Sequence, residues 1–191
     1  VAAREGVDNR RTDTRERALA VALELFATHG YTVTSLREIA EHLGVTKAAL
    51  YFHFRTKEEI LTAILRGYLD GIAALAVDAT ARQPLTAAMR EELVRRFAEH
   101  QAHWGIDLIL LVRQNYTEIQ SLPIGEEVRE VMASLVAALA PAGSGPAERL
   151  RVRTALSAFQ IAAVTAARDN DGDGDALQEA ALAIALEILA G

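Results

Sequence analysis

At 191 residues, 51% of them hydrophobic, the chain can bury a core of its own and hold one small domain joined to one medium one. It contains no cysteine, which excludes disulfides, thiolate metal sites and cysteine nucleophiles together. The net charge of −6 argues against a uniformly basic nucleic-acid binder, yet it divides unevenly: residues 1–57 hold nine Arg or Lys against seven Asp or Glu, whereas residues 58–191 hold eleven against nineteen.

The first twelve residues are polar and carry Arg4, Arg10 and Arg11, with no apolar segment behind them of the kind secretion requires. No uncharged apolar run approaches the roughly 18 residues of a membrane span, so a soluble, cytoplasmic protein is expected. Asp13 with Glu16 reads as the cap of a first helix running to about His29. Apolar Leu36, Ile39, Ala40 and Leu43 then recur at the spacing of one buried helical face, opened by Ser35 with Glu38 as a capping box. Gly44 supplies a tight turn, Val45 plugs the corner, and Thr46 caps a second short helix. In that helix Leu50 and Phe54 point inward and leave Thr46, Lys47, Ala48, Tyr51 and His53 outside. Such an outer set suits a DNA groove. The small residues permit close approach, Lys47 and Ala48 lie nearest the base edges, and Tyr51 and His53 can donate to phosphates. The only two lysines of the chain, Lys47 and Lys57, open successive helices, where free N–H groups also favour phosphate. Thr34, Ser35 and Arg37 complete the candidate DNA-binding set.

Thr56 with Glu59 forms another capping box before a long helix to about Thr80, built on Ile60, Leu61, Ile64, Leu65, Leu69, Ile72 and Leu75. Gln83-Pro84 breaks the chain. A fifth helix is predicted from about Leu85 to His103, and a sixth from Ile106 to about Ile119 after Gly105. Pro123 and Gly125 mark a loop before a seventh helix, about Glu126–Leu139. Pro141 to Pro146 is a linker, and two last helices, about Ala147–Arg168 and Ala176–Leu189, flank the acidic loop Asp169–Asp175. The expected fold class is all-α, with about nine helices: an N-terminal three-helix helix-turn-helix domain followed by a larger helical domain. No strand-like alternation argues for a sheet.

Residues Thr34–Lys57 resemble the helix-turn-helix of the TetR family of bacterial regulators, and the resemblance extends over about residues 13–70. Arg15–Tyr31 is similar to that family's first helix, with Ala22 and Phe26 in core positions. Phe54–Leu61 is similar to the start of its long fourth helix. One departure is Ala49, where many members have glycine. The resemblance implies a DNA-binding domain over 1–56 and a ligand-binding and dimerisation domain over 57–191. It also implies a homodimer on a near-palindromic double-stranded operator, a small-molecule effector, most simply one that releases a repressor from DNA, and no cofactor. A constitutive DNA-binding protein or an activator without an effector is the alternative.

The last two helices are the expected dimer interface, through Ala155, Phe159, Ala162, Ala163, Ala166, Leu177, Ala181, Ile184, Ala185 and Ile188. The second of them is apolar almost all round, as a helix buried on two sides should be. The candidate ligand-binding residues are Tyr68, Phe97, His100, His103, Trp104, Leu108, Leu111, Asn115, Tyr116, Met132 and Phe159, because small-molecule sites are mostly apolar with a few oriented polar groups. No catalytic motif is present: no Gly-x-Ser-x-Gly, no glycine loop for phosphate and no His-Glu-x-x-His. His100 and His103, with Asp107, have the residue types of a metal site, but Gly105 spoils their register. The Asp169–Asp175 loop resembles half of a calcium loop and lacks its closing glutamate: Ala180 occupies that position and Glu179 falls one short. No metal is therefore expected.

Overall fold

The computed structural model describes residues 2–169 and 174–190, with side chains from Asp13 to Ala167 and from Gly174 to Ala190. Among the described residues the elements are all helical: α1 (Ala2–Thr28), α2 (Leu36–Leu43), α3 (Lys47–His53), α4 (Lys57–Ala81), α5 (Ala87–Gln114), α6 (Tyr116–Ser121), α7 (Pro123–Leu139), α8 (Pro146–Asp169) and α9 (Gly174–Ala190). Residues 170–173 of the acidic loop lie outside the described residues, as does the question of calcium there.

Helix α1 continues upstream of the expected cap to Ala2, so Asp13 lies within it. Asp13 instead faces Arg17 one turn on, a carboxylate-to-guanidinium separation of 3.8 Å. Helix α7 begins at Pro123, three residues before the expected start, with proline in the first turn, where its missing N–H costs no hydrogen bond. Helix α5 joins the two helices predicted around Gly105. Gly105 itself keeps φ 70° and ψ −176°, so the axis breaks there while helical structure resumes on both sides.

Two apolar cores lie along α4. The lower one gathers Ala22 and Phe26 of α1, Ile39 and Leu43 of α2, Leu50 of α3 and Ile60 to Leu69 of α4, together with Leu108, Leu111, Ile119 and Ile124. The upper one gathers Ile72 to Ala79 of α4 with Phe97, Leu135, Leu139, Val152, Phe159 and Ala185. The N-terminal head is thus packed directly on the second half of α5, and Tyr68 borders both cores. By length and composition α4 could cross a membrane, but its apolar residues fill these two cores.

The residue set expected at the dimer interface needs correction. Ala155, Phe159, Ala162, Ala181 and Ala185 are buried within the single chain. Small side chains on α8 and α9 allow those two helices of one protomer to approach each other closely, which is what the alanine pattern encodes. Ala163, Ala166, Leu177 and Ile188 are half-buried, and Ile184 is 50% exposed. The outward stripe consists of Leu150, Thr154, Ser157 and Ile161 on α8, with Ala180, Ala183 and Ile184 on α9.

Candidate functional site

Helix α2 starts where the Ser35 hydroxyl accepts from the Glu38 N–H at 3.2 Å. The Glu38 carboxylate does not return to Ser35 but meets His29 at 3.0 Å, so only half of the capping box forms. Gly44 stops the helix with φ 72°, a left-handed conformation, and Val45 N–H returns to the Ala40 carbonyl at 3.0 Å. Thr46 then caps α3 by accepting from Ala49 N–H at 3.2 Å. Leu50 and Phe54 anchor α3 to the core; burying such a leucine stabilises by about 1.5–3 kcal/mol.

Ser35, Arg37, Thr46, Lys47, Ala48 and Tyr51 are exposed, and His53 is half-buried beside them. The Lys47 ammonium lies 5.1 Å from the Tyr51 ring centroid, a cation-π contact that aligns both side chains on one face of α3. Arg37 is paired with Glu41, Nε to Oε1 at 2.7 Å. Phe52, 66% exposed, adds to the same outer face beyond the residues expected from the sequence, and its four-residue spacing from Ala48 is the signal that places it there.

Two predicted DNA contacts are turned inward. Thr34 is 1% exposed, and its hydroxyl donates to the Gly30 carbonyl at 2.8 Å. The Lys57 ammonium donates to the carbonyls of Tyr31, Thr32 and Thr34 at 2.6, 2.7 and 3.1 Å and lies 4.7 Å from the Tyr31 ring centroid. An ammonium has three protons, and here all three are engaged. Lys57 therefore ties the α1–α2 loop to the first turn of α4 and does not project toward a phosphate. Glu59 completes the corner, its carboxylate accepting from Arg55 N–H at 2.7 Å while Thr56 caps Glu59 N–H.

A cavity of about 580 Å³ opens between α4, α5, α7 and α8. Of the predicted ligand-binding residues it brings together Tyr68, Leu108, Tyr116 and Met132. Phe97 and Phe159 face each other in the upper core, centroids 5.8 Å apart, and Leu111 is fully buried in the lower one. Asn115 closes α5, its amide donating to the Leu111 carbonyl at 2.9 Å. His100 stacks on Tyr68 and approaches the Tyr68 backbone carbonyl through Nε2 at 2.9 Å, so this nitrogen is already engaged. His103 is exposed and edge-on to Trp104, and no cluster of metal-ligating side chains exists among the described residues. Trp104 lines a different feature, an open cleft of about 710 Å³ between the head and α4. The cavity walls also include Gln101, Arg113, Gln160, Ile161 and Val164. Their helical spacing does not distinguish a residue facing a void from one facing a neighbour.

Residues 18–64 match the family described as bacterial regulatory proteins, tetR family. That match places the N-terminal segment of the chain in the TetR family. Among TetR-family relatives, the transcriptional repressor KstR2 of Mycobacterium tuberculosis is 40% identical over 60 residues, 31% of this chain and 30% of that protein. The transcriptional activator FasR of Mycolicibacterium smegmatis is 35% identical over 97 residues, 48% of this chain and 43% of that protein. The solved structure of the TetR-family regulator PfmR from Thermus thermophilus is 27% identical, with a TM-score of 0.61 over 92% of this chain and 98% of that one. The sequence matches to the first curated relatives span only about a third of those relatives' length.

Proposed function

We propose that this chain is a ligand-responsive transcriptional regulator that binds a near-palindromic operator as a homodimer, most simply as a repressor released by its effector. The observation that carries the reading is the outward face of α3. Thr46, Lys47, Ala48 and Tyr51 stand on a short helix rigidly capped at its start and anchored by Leu50 and Phe54. This is the form of a recognition helix, and the carried-over role of the family supports it.

Homodimerisation is supported by the outward stripe of α8 and α9, where Ile161 and Ile184 are 66% and 50% exposed among small residues. Two copies of this helix pair would form a four-helix bundle with a twofold axis. Ligand response is supported by the position of the cavity. Leu65 and Tyr68 belong to α4, the helix whose first residue clasps the head, so filling the cavity bears on the element that carries α3. The coupling is reciprocal: an effector that weakens operator binding must be weakened by operator to the same factor. The name of FasR as an activator keeps the opposite sign of control open to test.

Selection from a random duplex pool followed by anisotropy titration tests the reading. Enrichment of a two-half-site sequence over random duplex is the expected result. No preference for any duplex over random sequence at moderate salt refutes it.

A further inference from the structure

Gln101 is 5% exposed and lines the cavity, yet its Nε2 has no hydrogen-bond partner. A buried amide donor left unpaired is costly, so its persistence at a cavity wall points to a ligand atom that accepts from it. Tyr68 stands beside it on the same wall. Burial, the larger effect, pushes the Tyr68 phenol up to about 12 against a side-chain contact with Gln101 that pulls it the other way, so the phenol keeps its proton and its capacity to donate.

The surroundings limit what the acceptor can be. Leu65, Leu108, Val128, Met132 and Val164 supply apolar wall, and among the described residues no carboxylate lines the cavity. Arg113, the one cationic residue among those lining it, is exposed. A carboxylate seated against Gln101 would be buried without a countercharge, and an alkylammonium would bring a further donor to an amide that already lacks an acceptor. We infer that the cavity takes an uncharged, largely apolar molecule whose carbonyl oxygen accepts from Gln101 Nε2 and the Tyr68 hydroxyl. This rests on the reading of the cavity as the effector site.

The test uses the full chain and three probes of matched length: methyl octyl ketone, decanoate and decylammonium. Trp104 is the chain's single tryptophan and lies edge-on to Tyr68 at 6.1 Å, so its emission reports occupancy, with calorimetry giving affinities. The ketone is expected to bind at least about tenfold more tightly than either charged probe, and both Gln101→Met and Tyr68→Phe to weaken ketone binding by about tenfold. Each variant removes a donor without removing bulk, and circular dichroism confirms that it folds. Equal affinity for the three probes, or ketone binding unchanged in Gln101→Met, overturns the carbonyl assignment while leaving the cavity a ligand site. Binding of none of the three overturns both the assignment and the effector-site reading.

Discussion

The Lys57 ammonium donates to the Tyr31 carbonyl at 2.6 Å across 26 residues of sequence, closing the α1–α2 loop onto α4. Together with the Thr32 and Thr34 carbonyls, this contact makes Lys57 a structural clasp between the head and the long helix. Hydrogen bonds to a charged donor contribute about 1.5–3 kcal/mol each when buried, and the partial exposure of Lys57 places the net effect near the lower end. Lys57→Ala is expected to lower the melting temperature by about 5 °C. The slope of log affinity for operator against log salt should stay unchanged, measured by anisotropy over a salt series.

Lys47 behaves in the opposite way. It is exposed on α3 and lies over the Tyr51 ring, so Lys47→Ala leaves thermal stability within about 0.5 kcal/mol. Operator affinity falls, and the salt slope loses about one counterion per subunit. An unchanged slope in this variant would place the DNA face elsewhere.

Gly71 makes room for His100. A Cβ added at Gly71 would lie 2.2 Å from His100 Cε1, and the ring is held by its stack on Tyr68 and its contact to the Tyr68 carbonyl. Gly71→Ala is expected to destabilise by about 1–3 kcal/mol in urea unfolding. The double variant Gly71→Ala/His100→Ala should recover part of that loss, because the clash requires both side chains.

Tyr68 sets an alkaline limb of stability. Its phenol is raised from 10.0 to about 12, so below pH 10 both states hold the proton and the contribution is constant. As pH rises from 10 toward 12 the unfolded chain ionises first, and stability falls by about 2–3 kcal/mol over that window before levelling. Tyr68→Phe should flatten this limb relative to the wild type in unfolding curves taken at successive pH values.

Ile184 lies on the outward stripe of α9, 50% exposed. Ile184→Asp would place a charge in the proposed bundle and is expected to give the mass of one chain in sedimentation velocity, with the helical circular dichroism signal retained. A variant that remains dimeric would remove α9 from the interface.

Much of the architecture was legible because it is local. Capping by Ser35, Thr46 and Thr56, the turn at Gly44, and the burial of Ile39, Leu43, Leu50 and Phe54 follow from spacing within a few residues, and the structure reproduces them. The same spacing exposes Lys47, Ala48 and Tyr51, so the outer face of α3 is a property of the chain read in isolation.

Tertiary structure alone decided which neighbour each face meets. A lysine at a helix start is compatible with a phosphate or with three carbonyls 23 to 26 residues upstream, and only the fold of the α1–α2 loop selects the carbonyls. Alanines on two adjacent helices are compatible with close packing inside one chain or between two, and packing directed Ala155 and Ala185 inward while leaving Ile161 and Ile184 outside. Gln101 reads as an ordinary polar position on α5 until the fold buries its amide beside a cavity. Local sequence sets dihedral preference, caps and amphipathic faces; a void, a clasp or an orphaned donor exists only once distant segments have met.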